Sequence, residues 1–170
     1  MRFIKLISIC LLLFQSCSNE IIPKLGEYRA EIKTKDNSIL PFKFELINES
    51  NKLIMVVEND KETLIYDDII FEADSLKILM PPYDAVIIAK VENESLYGRY
   101  LKEESGKEAP FFATINNESK FQSDKKANFS LSGKYKTVFR PENPYPGLGL
   151  FTQNGNEVSG TFRKNTGDTR

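Results

Sequence analysis

The chain has 170 residues, with 23 Lys and Arg against 24 Asp and Glu, two cysteines, no histidine and no tryptophan. A formal charge of −1 argues against nucleic acid, which demands a basic face. The lack of histidine removes the commonest general base and a usual zinc ligand.

Arg2 and Lys5 precede an apolar run over 6–14, and no acidic residue comes before Glu20. That is the layout of a secretory signal, and the run is too short for a membrane-spanning helix. The segment ends Phe14-Gln15-Ser16-Cys17. Ser16 offers the small residue that signal peptidase needs, and Cys17 the thiol that takes a diacylglyceryl group. The sequence therefore predicts a signal-peptide helix over 1–16, a tether over 17–25 and lipidation of Cys17. The site lacks the Leu and second small residue of the commonest lipobox and resembles the relaxed version of Bacteroidota lipoproteins. It implies a protein held in the cell envelope through its lipid, on the periplasmic or surface face of the outer membrane. The competing reading is an ordinary secretory signal with an incidental cysteine.

Cys10 follows the bulky Ile9 and is expected to leave with the leader. Losing Arg2 and Lys5 takes the basic count from 23 to 21 against 24 acidic residues, so the mature chain sits near −3. Its one remaining cysteine is acylated, which rules out a disulfide, a CxxC motif or a cysteine metal site within it. Neither metal nor cofactor is expected. About 150 residues suffice for one domain burying roughly 70% of its unfolded surface.

From Gly26 the hydrophobic period is two, the mark of strands. Tyr28, Ala30 and Ile32 alternate with Arg29, Glu31 and Lys33, and Leu40, Phe42, Phe44 and Leu46 repeat the pattern, with Pro41 marking an edge. Short strands follow at 53–57, 63–66 and 69–73. A tight Asp74-Ser75 turn leads to Leu76, Ile78 and Met80, and Pro81-Pro82 breaks the pairing. Strands over 85–91 and 96–101 precede a charged tip at 103–108, with a returning strand over 110–115. A polar connector covers 122–128. The alternation resumes over 133–139, a Pro-rich loop takes 141–147, and Asn154-Gly155-Asn156 turns a hairpin between strands at 148–152 and 157–162. No stretch reads as an amphipathic helix of three turns. The prediction is an all-β antiparallel meander over 26–170, closed as a barrel or a sandwich.

Two short patterns occur twice in the same order. Gly26-Glu27-Tyr28-Arg29 is echoed by Gly133-Lys134-Tyr135-Lys136, and Leu96-Tyr97-Gly98-Arg99-Tyr100 by Val158-Ser159-Gly160-Thr161-Phe162. They suggest two meanders with similar strand chemistry, in which glycine permits a bend or lets a ring lie over the backbone. The last residues, 166–170, read as a turn with no strand after it, beside the exposed edge of 157–162. An open edge is a liability, so the sequence predicts either a longer protein or a partner strand.

No catalytic constellation emerges. Asp67-Asp68 and Glu103-Glu104 are neighbours that strand geometry sends to opposite faces, so they read as solvated charges. Asp84 stands alone at a loop tip. Ser130, Ser132 and Ser159 have no His or Lys at a diagnostic spacing, and Gly147-Leu148-Gly149 precedes no helix that could cradle phosphate. Asn-x-Ser triplets begin at Asn48, Asn93, Asn117 and Asn128 and read as turns. Asp74-Ser75-Leu76 fits the acceptor pattern for O-glycosylation in Bacteroidota, which makes Ser75 a candidate acceptor.

Several blocks from Gly26 onward together resemble the amino-terminal β-domain of Bacteroidota TlpA-like thiol-disulfide oxidoreductases. They are Gly26-x-Tyr28, Leu40-Pro41-Phe42, Asp74-Ser75-Leu76 through Met80-Pro81-Pro82-Tyr83-Asp84, Tyr97-Gly98 and Ala109-Pro110-Phe111-Phe112-Ala113. The most specific block runs from Phe151-Thr152-Gln153-Asn154-Gly155 to Gly160-Thr161-Phe162, and Thr166-Gly167-Asp168 closes the likeness. In that family the domain precedes a thioredoxin-like domain whose CxxC performs the redox step. The resemblance implies a non-catalytic accessory role here: positioning a redox domain or recognising its client protein. The alternative is a small β-barrel lipoprotein that holds an apolar or saccharide ligand among its twelve Phe and seven Tyr, although such rings are more often plain core.

Overall fold

The computed structural model describes residues 22–60, 62–116, 118–121, 123–140, 142–164 and 167–169. The expected signal helix, Cys10, Cys17 and Asn117 lie outside the described residues. The remainder is β-structure, as the alternation predicts, with one short 3-10 turn at Pro81–Tyr83. The chain divides into two compact units, 1–120 and 121–170, with the boundary at the start of the polar connector. The span expected as one domain thus contains two separate sheets.

The first unit holds nine antiparallel strands: β1 (Gly26–Lys33), β2 (Ile39–Glu49), β3 (Lys52–Asn59), β4 (Glu62–Tyr66), β5 (Ile69–Glu72), β6 (Ser75–Met80), β7 (Ala85–Glu92), β8 (Ser95–Lys102) and β9 (Lys107–Ile115). Their order is β4-β3-β2-β1-β9-β8-β7-β6-β5. The first and last strands meet in the middle, with Tyr28 opposite Ile115 and Ile32 opposite Phe111. The edge strands β4 and β5 are consecutive in the chain, joined by Asp67-Asp68, and the amide of Leu79 donates to the Asp68 carbonyl at 3.0 Å. The sheet therefore curls into a nearly closed barrel rather than a sandwich.

One side of every strand fills the interior. Tyr28, Phe44, Leu46, Met55, Leu76, Ile78, Ile87 and Leu96 are almost fully buried, and the ring of Tyr28 stacks on Phe44 at 5.0 Å. No buried residue is charged among those described. Curling this tightly brings neighbouring backbones together at Gly98. A Cβ there would lie 1.9 Å from the Ile88 carbonyl oxygen and 2.6 Å from the Ala89 Cα, so no side chain fits. Pro41 faces Glu31 where β3 has not yet joined β2, which makes its missing N–H harmless. The end of the expected tether is held: Pro23 is buried, and the Tyr28 hydroxyl donates to the Lys24 carbonyl at 2.7 Å.

The second unit is a four-stranded antiparallel meander: β10 (Gly133–Phe139), β11 (Tyr145–Asn154), β12 (Glu157–Lys164) and β13 (Gly167–Thr169). Two sequence expectations change here. The Pro-rich loop ends at Pro144, because Tyr145, Pro146 and Gly147 already pair with Phe139, Val138 and Thr137. Pro146 is tolerated because β12 joins β11 only from Leu148. The expected terminal turn is a strand, since 167–169 pair back on Phe162–Lys164. The echoed openings share a physical cause: Gly26 and Gly133 start β1 and β10 with φ of 132° and 151°, values that favour glycine.

Candidate functional site

The second sheet is built unlike the first. Among its described residues only Gly149 is buried, although aromatic residues recur along its strands. The register explains where they go. Phe151 faces Gly133 and Gly160, Gly149 faces Tyr135 and Phe162, and Gly147 faces Thr137. Residues paired across antiparallel strands share a face, so Tyr135, Phe139, Tyr145, Phe151, Val158 and Phe162 emerge on one side. The glycines between them leave room for the rings. A Cβ on Gly160 would lie 2.3 Å from the Phe151 ring, and one on Gly147 would lie 2.4 Å from Phe139.

The rings form a connected strip. Tyr135 meets Phe151 at 5.7 Å, Phe151 meets Phe162 at 5.5 Å, Phe162 meets Phe139 at 5.5 Å and Phe139 meets Tyr145 at 5.4 Å. Three of these contacts are edge-to-face, the arrangement the ring quadrupole favours. Leu131, Tyr135, Phe151 and Val158 surround an open apolar hollow of about 130 Å³. Drug-sized ligands need roughly 300–1,000 Å³, so this is a surface dimple rather than a ligand chamber. Tyr135 is 40% exposed and Val158 43%.

Cations border the strip. The Lys164 ammonium lies 5.5 Å from the Phe139 ring centre and the Arg140 guanidinium 6.0 Å from that of Tyr145. Strands β10 and β11 contain no Asp or Glu, and Glu157 of β12 pairs with Asn154 on the other face. Residues 121–170 carry eight Lys and Arg against four Asp and Glu, a balance of +4, which leaves −5 for 1–120. A whole-chain charge of −1 conceals this division.

The sequence-derived candidates do not converge on one site. Ser75 opens β6 and is half-buried. Its hydroxyl donates to Asp74 Oδ1 at 3.0 Å, and this bond, with the nearby Lys90 ammonium, holds the Asp74 carboxyl below its usual range. Asp84 is structural: its carboxylate accepts from the Glu104 amide and its carbonyl from the Glu103 amide, each at 3.0 Å. Asp67, Asp68, Glu103 and Glu104 are exposed. Ser132 Oγ accepts from the Gln153 amide at 2.9 Å, and Ser130 Oγ from the Ser132 amide at 3.2 Å. Gly147 and Gly149 make room for rings, not phosphate. No cluster of three potential metal ligands occurs among the described residues.

Sequence reasoning reads aromatic strand residues in general as more often core than lining, because strand alternation is the same for a covered and an uncovered face. The available signal is glycine opposite aromatic, repeated at 133, 149 and 160. No family model, no curated protein and no solved structure matches this chain.

Proposed function

We propose that this chain is a non-catalytic accessory β-protein of the cell envelope, lipid-anchored at Cys17, whose second sheet docks the redox domain or client of a thiol-disulfide oxidoreductase. The observation that carries the reading is the aromatic strip of β10, β11 and β12. A sheet normally buries one face against a second layer, and contiguous exposed apolar surface marks interaction sites. No second layer covers this strip among the described residues of its own unit. The leader and Cys17 support export and anchoring, and the blocks that resemble those of TlpA-like proteins support the choice of partner.

A ligand held inside the first sheet has less support, because its interior is occupied by the side chains of Tyr28, Phe44, Met55, Ile78 and Leu96. Reading the genomic DNA beyond codon 170 tests the partner directly. A thioredoxin-like domain encoded in the same or the adjacent frame is the expected result. Its purified form should comigrate with the mature chain in gel filtration and separate from a Tyr135→Ala/Phe151→Ala variant. A stop codon with no such frame nearby would overturn the redox assignment. Palmitate labelling that survives Cys17→Ala would overturn the anchor.

A further inference from the structure

The second sheet has an open edge as well as an open face. Strand β10 pairs with β11 on one side, and no described strand lies along its other side. A seven-residue edge of this kind presents unpaired backbone N–H and C=O groups and can accept a further strand. Its side chains alternate sharply. Tyr135, Thr137 and Phe139 extend onto the aromatic strip, while Lys134, Lys136 and the 66%-exposed Val138 take the opposite face. Neither lysine forms an ion pair among the described residues.

We infer that β10 binds an extended, acidic segment of the partner protein, which adds to the sheet as a strand. This rests on the docking role proposed above and names the chemistry of the docked segment. Side chains directly opposite one another on antiparallel strands interact, favourably for opposite charges and unfavourably for like ones. An added strand would place alternate residues beside Lys134 and Lys136, where Asp or Glu fits and Lys or Arg is repelled. Its other residues would continue the strip beside Tyr135 and Phe139, where apolar or aromatic side chains fit. The recognised sequence therefore alternates acidic with apolar residues. Lysines on an edge also guard it against indiscriminate pairing, and here the guard acts as the selector: it rejects neutral and basic strands and admits acidic ones. The +4 balance of residues 121–170 favours the same partner at longer range.

The test uses the mature full chain and two fluorescein-labelled octapeptides, one alternating Glu with Val and one alternating Lys with Val. Anisotropy titration at low salt should show the Glu peptide binding at least about tenfold more tightly, the scale of two favourable against two unfavourable cross-strand pairs. Hydrogen exchange at saturation should protect amides within 133–139. The Lys134→Glu/Lys136→Glu double variant, altered only at exposed positions, should reverse the preference. Equal binding of the two peptides, no binding of either, or protection confined to other strands would overturn the inference. The peptides contain no redox partner, so a failed complex with the thioredoxin-like domain leaves this result standing. A complex lost in Tyr135→Ala/Phe151→Ala but kept in the lysine reversal would refute strand addition and preserve docking on the rings.

Discussion

Glycine does two different jobs in the two sheets, and the difference can be measured. Gly98 is crowded by backbone: its missing Cβ would sit on the Ile88 carbonyl and the Ala89 Cα, neither of which can swing aside. Gly160 is crowded mainly by the Phe151 ring, which stands on an open face and can turn. Gly98→Ala should cost about 3 kcal/mol and Gly160→Ala about 1 kcal/mol, read from urea midpoints at constant slope. Equal costs would contradict the assignment of the severe backbone crowding to Gly98.

Tyrosine supplies a second residue-scale test. Burial, helped by the Glu94 charge, pushes the Tyr28 hydroxyl up from 10.0 to about 12, and burial beside Tyr83 and Tyr100 does the same for Tyr66. Both groups are neutral when protonated and titrate later in the folded chain than in the unfolded one. Their contribution is complete below about pH 10 and is lost as pH rises through about 12. Melting temperature should therefore show no tyrosine-linked loss below about pH 10, then fall steeply. Tyr28→Phe should flatten part of that fall while costing about 1 kcal/mol at neutral pH for the lost bond to Lys24. An alkaline limb unchanged in Tyr28→Phe would show that this hydroxyl is not responsible.

At the scale of elements, the β11–β12 hairpin also fastens the connector before β10. Gln153 accepts from the Leu131 amide at 2.6 Å and donates to the Phe129 carbonyl at 3.2 Å. Asn156 accepts from the Ala127 amide and donates to the Lys125 carbonyl, both at 2.7 Å. Gln153→Ala should release Leu131 from one wall of the apolar hollow, speeding exchange of its amide while the β11–β12 hairpin persists. Unchanged Leu131 exchange would refute this role. The hairpin itself is legible in the sequence, because Asn-Gly chemistry and alternating strands are local signals. The fastening is not, since Gln153 and Leu131 look like unrelated polar and apolar residues until the register aligns them. The same holds for β13, whose three small or polar residues carry no strand signature of their own. The pairing of β1 with β9 is hidden too, because nothing near Tyr28 points to Ile115.

For the whole molecule, the two units differ in what stabilises them. The first owns a contiguous core from Tyr28 to Ala113, whereas the second has rings and glycines in a single layer. Marginal sheets need a packed face for independent stability. Trypsin should therefore cut first at Lys125 or Lys126, in the exposed connector, and leave a resistant fragment ending there. That fragment should keep a cooperative melt close to the main transition of the undigested chain. Rapid digestion of residues 22–120 at the same rate as the rest would contradict this division. The strands and most of their turns are legible in the sequence, because period-two alternation and turn chemistry are local. The division into units is only hinted at by the polar connector, and the charge asymmetry emerges once that boundary is known.

The meeting of β1 and β9 in the middle of the nine-stranded sheet has a mechanical consequence. Tyr28 near the start of β1 lies opposite Ile115 at the end of β9, so the chain enters and leaves the barrel at the same end of one strand pair. Tension applied between residues 22 and 120 would load that pair as a zipper, opening one rung at a time instead of shearing all rungs together. A chain held at residue 22 and pulled from residue 120 would thus part at a low force, along a seam that the turn at Asp67-Asp68 does not reinforce.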